Sequence, residues 1–309
     1  MMLKLQENYT IENQSFEDFI LLIFVLTDEL YKKVAPDSVK FRSNIEKALL
    51  SDSEIITIAM CGELIGVDSE KAWFSFVKRN LRHLFPKMCD RTRFNRTRRN
   101  LLQVMNLIFN ELSSCLKDEF LIADSFPLEV CKFGRAHFCK SFKTDGATYG
   151  YCASKKQTYF GYKIHVITTV DGATMVFDIT PANVDDRNGL RDMVSDYTEP
   201  HYIFGDKGYI DKNLEEELHL IAQKLLTLKR DNAKNNLSDD ERQFILKYRK
   251  RIETVFSQLT EQLNIERVRA KTFRGLSARL LTKFLAFNFC LFINKIFNLD
   301  FSSVKSLVF

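Results

Sequence analysis

The 309-residue sequence predicts an α/β protein with an all-helical N-terminal region, and three observations carry that prediction. Up to about residue 117 the apolar residues recur at helical spacing between recognisable caps, and from Phe120 the pattern changes to β-rich runs. Beyond Asp186, strand and helix patterns alternate. The length suits one medium domain and a smaller helical one, divided here as residues 1–117 and 118–300.

In the first region Phe16 to Lys33 forms one helical pattern, closed off before Pro36. Ser51 and Glu54 make a capping box that opens a second helix ending near Gly66, and Asp68 or Ser69 caps a third that runs to about Leu81. Two helices joined by a short glycine-containing turn fit a helix-turn-helix and an ordinary helical hairpin equally well. Trp73, among Phe74, Phe76 and Val77, reads as core. Between Lys78 and Arg99 there are nine Lys or Arg and one acid, Asp90, a stronger sign of a polyanionic partner than the net charge of +5. The basic run RTRFNRTRRN leads into a helix reaching Leu116, and its Arg93, Arg96, Arg98 and Arg99 are candidate DNA-binding residues.

The second region opens with the apolar run EFLIADSF, a buried strand with Asp124 near its end. The runs YFGYKIHVITTV and ATMVFDIT are joined by Asp171-Gly172, the signal of a type I′ hairpin. A helix follows from Asp186 to Tyr197, with Asp185 and Asp186 explained by capping. The strand HYIFGD ends at Asp206; a helix over 211–221, a strand over 224–228 and a long helix opened by the box Ser238 to Glu241 complete the series. Lys163 and His165 alternate on the second strand and so face one side of the sheet. Lys163 could reach a phosphate, and His165 reads as a satisfied histidine. Lys207 and Tyr209 follow Asp206 in a glycine-containing turn, where a cation and an aromatic could hold a DNA strand. Lys132, Arg135, Lys140, Lys143, Lys155 and Lys156 lie between the first two strands, in a segment that could track DNA or be a solvated insertion.

Seven cysteines without a CxxC pair argue for a reducing compartment, and Cys131, His137, Cys139 and Cys152 fit no common zinc spacing. Phe19 to Leu26 is too short to span a bilayer. Leu280 to Phe297 is interrupted by Lys283, Asn288, Asn294 and Lys295 and reads as a packed helix. These features predict a cytoplasmic protein.

Three strands, helix, strand, helix, strand, helix is the order of ribonuclease-H-like domains, a mixed sheet flanked by helices. In that arrangement the first and fourth strands are neighbours and the last helix crosses their ends. It gives a role to the single acid in YRKRIETVFSQL, which otherwise reads as a helix-surface glutamate among cations. Asp124, Asp206 and Glu253 would converge on one spot. Three unpaired carboxylates repel one another unless a divalent cation neutralises them, and hard oxygen ligands with room for water suit Mg2+ or Mn2+.

At these residues the sequence resembles the DDE transposases of bacterial insertion sequences, most closely insertion sequence family 982. The resemblance rests on IADSFPL around Asp124, YFGYKIH at 159–165, ITPANVDDRNGL at 179–190, GDKGY around Asp206 and RKRIETVFSQL around Glu253, and it covers nearly the whole chain. It implies that Asp124, Asp206 and Glu253 are an acidic triad holding two ions, with Asp124 bridging, and that Arg249 one turn earlier belongs to the site. It also implies hydrolysis at the ends of an element, then attack of the freed 3′ hydroxyl on target DNA, by a dimer bound to double-stranded inverted repeats and associated with the nucleoid. Leu246 and Thr260 stand where some related families have a tyrosine and a lysine. No GxxxxGK[ST] or GxGxxG stretch is present, in keeping with chemistry that needs no ATP. The competing readings are a ribonuclease-H-like endonuclease that cuts without joining and a DNA-binding regulator without chemistry.

Overall fold

The computed structural model describes residues 16–153, 155–195, 199–227, 239–266 and 268–299. Its N-terminal part is helical: α1 (Phe16–Val34), the short α2 (Asp37–Lys40), α3 (Asp52–Leu64), α4 (Glu70–Asn80), α5 (Arg91–Asn100) and α6 (Leu102–Ser114). Helices start where a side chain satisfies the first free N–H groups. Ser51 and Glu54 form the reciprocal capping box of α3, Ser69 caps α4, and Asp90 caps α5. The α3 helix is buried on nearly every side, whereas α4 leaves Lys71, Lys78 and Arg79 exposed. Trp73 is core, its indole N–H donating to the Ile58 carbonyl at 2.7 Å.

The remaining elements in chain order are β1 (Phe120–Glu129), α7 (Lys140–Thr144), β2 (Thr148–Cys152), β3 (Gln157–Thr169), β4 (Thr174–Pro181), α8 (Asp186–Val194), β5 (His201–Gly205), α9 (Lys212–Leu220), β6 (Gln223–Thr227), α10 (Asp239–Glu261) and α11 (Phe273–Ile296). They form a mixed α/β structure around a six-stranded sheet of order β2-β3-β1-β5-β6, with β4 also paired to β3. The pairs of β3 with β1, β2 and β4 are antiparallel, and β1-β5 and β5-β6 are parallel. Ser238, one half of the box expected at the start of α10, lies outside the described residues.

Two local readings need correction. Four strands, not three, precede α8: β2 is a five-residue edge strand whose residues are all exposed or half-exposed, so its apolar signal is weak, and pairing with the first part of β3 makes it a strand. The β3-β4 hairpin does not use a type I′ turn. Asp171 is not among the positive-φ residues and Gly172 is, at φ 97°; Thr169 and Ala173 close a three-residue loop, with the Thr169 N–H donating to the Ala173 carbonyl at 2.8 Å. A turn ending in a left-handed glycine serves that loop length. The Arg251 guanidinium donates to the Asp171 carbonyl and so ties this turn to α10.

The sheet is covered on both faces. Leu121, Ala123 and Ile167 pack with Leu190, Met193 and Val194 of α8 and with Leu214 and Leu218 of α9. Ile122 and Phe204 pack with Ile245 and Ile252 of α10 on the other face. The larger core joins Tyr162, Ile164 and Val166 of β3 to the helical layer, where α11 packs against α3 and α6. Asn288 of α11 fastens that junction: its carbonyl accepts from the Thr174 N–H at 3.0 Å and its amide donates to the Thr174 carbonyl at 2.7 Å and to Ser113 Oγ at 3.1 Å. By length and hydropathy α11 could cross a membrane, but 89% of its most apolar window is buried inside the protein, so it is a core helix.

Candidate active site

The parallel register of β1 and β5 pairs Phe120 with Tyr202, Leu121 with Ile203 and Ile122 with Phe204. Continuing it by two residues makes Asp124 and Asp206 equivalent positions on neighbouring strands, which run about 4.8 Å apart. Asp206 retains extended backbone (φ −79°, ψ −175°) before the chain turns. Alternation along β1 puts Asp124 on the face of Ile122 and Phe126, the face covered by α10. There Ile252 packs with Ile122, and the Phe126 and Phe256 rings meet edge-on with centroids 4.9 Å apart. Glu253 lies between those two contacts along the helix, and its side chain is exposed. Arg249 belongs to the same helix, and its side chain lies outside the described residues.

Backbone donors hold the two aspartates. Asp124 accepts from the Ser125 N–H at 2.7 Å, and Asp206 caps the following turn by accepting from the Gly208 N–H, also at 2.7 Å. Among the described residues no three His, Cys, Asp or Glu side chains stand close enough together to hold a metal ion. The donor set is nonetheless made of hard oxygens, the kind that magnesium and manganese take.

The other face of β1 carries polar residues as well. Ser125 is opposite His165 in the β1-β3 register, and both face α8. The Ser125 hydroxyl donates to Asp186 Oδ1 at 2.7 Å, and Lys163 Nζ stands 3.0 Å from the same oxygen while donating to the Val184 carbonyl at 2.8 Å. His165 is fully buried: Nε2 contacts Thr180 Oγ1 at 2.8 Å, Nδ1 lies 3.8 Å from Asp186 Oδ1, and burial pushes its pKa below the ordinary histidine value. Asp185 is the cap of α8. It accepts from the Arg187 N–H and guanidinium, and the hydrogen bond from that guanidinium brings its pKa down to about 2.

Capping therefore accounts for Asp185 but not for Asp186, whose side chain turns to the strands. The sequence contained a signal: NVDDRNGL supplies one more acid than the cap requires. Tyr209 also departs from expectation. It is 1% exposed and packs in the α8-α9 core, where Gly205 leaves room for its ring, so it cannot stack on a DNA strand at the surface. Lys207 beside it is exposed. On α5, Arg93 and Arg96 are exposed and Arg99 is half-buried. Arg98 is corrected: it is 4% exposed and ion-paired with Glu70, because helical spacing turns it inward four residues after the buried Phe94.

Residues 114–273 match the family model described as Transposase DDE domain, a family whose domains generally use divalent metal ions. Among solved structures the fold is similar to the cryo-EM structure of the piggyBac transposase synaptic complex with hairpin DNA, with a TM-score of 0.53 and 12% identity over 93% of this chain and 78% of that one. No curated relative matches the chain.

Proposed function

The chain belongs to the DDE-domain transposases, enzymes that cleave DNA and transfer it, and we propose that Asp124, Asp206 and Glu253 are the acidic residues of its reaction centre. The observation that supports this most is the β1-β5 register, which sets Asp124 beside Asp206 while α10 packs along the same face on both sides of Glu253. The strand order, read without the inserted β2, agrees with a ribonuclease-H-like domain. On this reading the reaction domain spans 118–300, and the helical region 1–117, closed by α11, binds double-stranded DNA at the inverted repeats of a bacterial insertion sequence, family 982 being the nearest pattern. Two copies of the chain, working at the nucleoid in the cytoplasm, would hold the two ends.

Asp124 is central and would share its carboxylate between two cations, with Asp206 completing one site and Glu253 the other. When bound, Mg2+ or Mn2+ supplies Lewis-acid charge to the attacking and leaving oxygens of an in-line phosphodiester displacement. The chain's own residues do the rest. The Ser125 and Gly208 N–H groups orient the two aspartates, and α10 presents Glu253 beside them. Lys207 and Lys163 offer positive charge to the phosphate, with Arg249 assigned to the same role by its place on α10. Arg93, Arg96 and Arg99 hold the duplex through its phosphates.

The test is a labelled duplex carrying the sequences that flank the gene, incubated with the full-length chain and Mg2+ or Mn2+. Nicking at the element end followed by joining to a target duplex is expected, with both products lost in Asp206→Asn and Glu253→Gln. Cutting without joining would replace this reading by an endonuclease. Variants that cut at the parent rate would remove those residues from the reaction centre.

A further inference from the structure

Asp186 is the acid that the triad leaves over, and its surroundings point toward the cation rather than toward helix capping. Its Oδ1 is taken up by Ser125 Oγ at 2.7 Å and Lys163 Nζ at 3.0 Å. Its Oδ2 faces the other way, toward the turn after β5: a Cβ placed on Gly208 would stand 2.9 Å from Asp206 Oδ1 and 4.0 Å from Asp186 Oδ2. The carboxylates of Asp186 and Asp206 thus look onto the same small space, although they come from opposite sides of the sheet.

A second, independent observation lies in the same place. The Tyr209 hydroxyl is buried and has no hydrogen-bond partner among the described residues. Burial first, and then the charges of Asp186, Asp124, Asp206 and Asp185, hold its pKa well above the ordinary tyrosine value, so it stays a protonated donor among acceptors. A buried hydroxyl without a partner costs about 1–3 kcal/mol. A donor kept in that condition beside three carboxylates marks a space that something polar fills, and a water shared with a cation has the right size and the right lone pairs.

We propose that Asp186 is a fourth carboxylate of the metal centre, its Oδ2 accepting a hydrogen bond from a water bound to the cation between Asp124 and Asp206, with the Tyr209 hydroxyl donating into the same water network. Asp186 is a positioning residue in this scheme. It acts on the cation through water, and through Oδ1 it keeps Lys163 at the edge of the site and Ser125 in the turn of β1 that carries Asp124. Ser125 and His165 face Asp186 from β1 and β3, Lys163 from β3, and Tyr209 and Asp206 from the turn after β5.

The proposal rests on Asp124 and Asp206 being metal ligands, so the experiment reads the two assignments separately. Fe2+ is substituted for Mg2+ in the full-length chain, ascorbate and peroxide are added, and the backbone cuts made by locally generated radicals are mapped by mass spectrometry. Cuts next to 124, 206 and 186 are expected, all suppressed by Asp124→Asn. In parallel, the rise in melting temperature with Mn2+ is titrated. Asp186→Asn, which keeps an acceptor for Ser125 and Lys163, should still cut at 124 and 206 but require roughly tenfold more Mn2+, the usual scale for removal of an outer-shell partner. Tyr209→Phe should shift the midpoint in the same direction by less. Cuts at 124 and 206 without one at 186, or an Asp186→Asn midpoint equal to the parent's, would overturn the role of Asp186 and leave the triad standing. A parent that shows neither cuts at 124 and 206 nor Mn2+ stabilisation would overturn both.

Discussion

In the helical layer Glu63 is buried with Arg279 and Lys283, while at the end of β1 and β5 the carboxylates of Asp124, Asp206 and Asp186 gather around a buried tyrosine. The first group is complete. Arg279 reaches both oxygens of Glu63 and the Asp68 carbonyl, and Lys283 donates to Glu63 and to the Leu263 carbonyl. The second is held by backbone N–H groups, a serine hydroxyl and Lys163, and leaves the Tyr209 hydroxyl without a partner among the described residues. Charge that is fully answered fixes how α3 and α11 pack. Like charges collected at the end of a sheet work against folding, and such an arrangement makes sense where a cation and a phosphate are to be bound.

The contrast can be broken by substitution, and the largest effect is expected at the acidic end. Asp124→Asn should reduce Mg2+-dependent nicking and strand transfer to background, while urea unfolding without metal shows unchanged or higher stability because a repelling charge is gone. Nicking near the parent rate, or a large drop in stability, would place Asp124 with the structural charges. The opposite pattern is expected for Glu63→Ala. Two buried cations are then left without their acid, which costs about 3–5 kcal/mol in urea unfolding. The activity of the molecules that remain folded should not change.

A smaller effect divides the arginines of α5. Arg93→Glu with Arg96→Glu should weaken duplex binding at unchanged stability, and the slope of log K against log salt should fall by roughly 0.9 for each phosphate the arginines no longer neutralise. Arg98→Ala should do the reverse, costing about 1–2 kcal/mol of stability and leaving the salt slope alone, since that side chain is paired with Glu70 inside the protein. A gel-shift series at several salt concentrations and an unfolding curve on the same preparations check both.

The smallest effect sharpens the account of the complete cluster. Lys283 is buried, faces Glu63 from α3, Asp68 from the loop after it and Arg279 from its own helix, and its pKa is lowered, chiefly by burial. Between that lowered value and the ordinary lysine value the unfolded chain binds more protons than the folded one. Stability should therefore rise with pH through this window, and Lys283→Met should flatten the rise. A parent whose stability falls there no less than the variant's would contradict the burial of a charged lysine.

Much of the fold follows from local physics that sequence alone expresses. The capping box of α3, the apolar stripe of α10 that buries Ile252, Val255 and Leu259, the core position of Trp73 and the strand carrying Asp124 all depend on neighbours a few residues away. The five short motifs and their order were enough to indicate a DDE-domain transposase, because spacing along the chain is itself a property of the sequence. Other features depend on partners brought from far away. The strand β2 exists because β3 offers it an edge, and α11 is a core helix because α3 and α6 surround it. Arg98 and Tyr209 are buried because of what packs over them, which no charge or aromatic pattern reports. Asp186 turns toward Ser125 and Lys163 only once β1, β3 and the start of α8 have come together. Sequence determined which residues could do the chemistry; tertiary structure decided which of them face the same space, since that depends on strand register and packing between segments separated by many tens of residues.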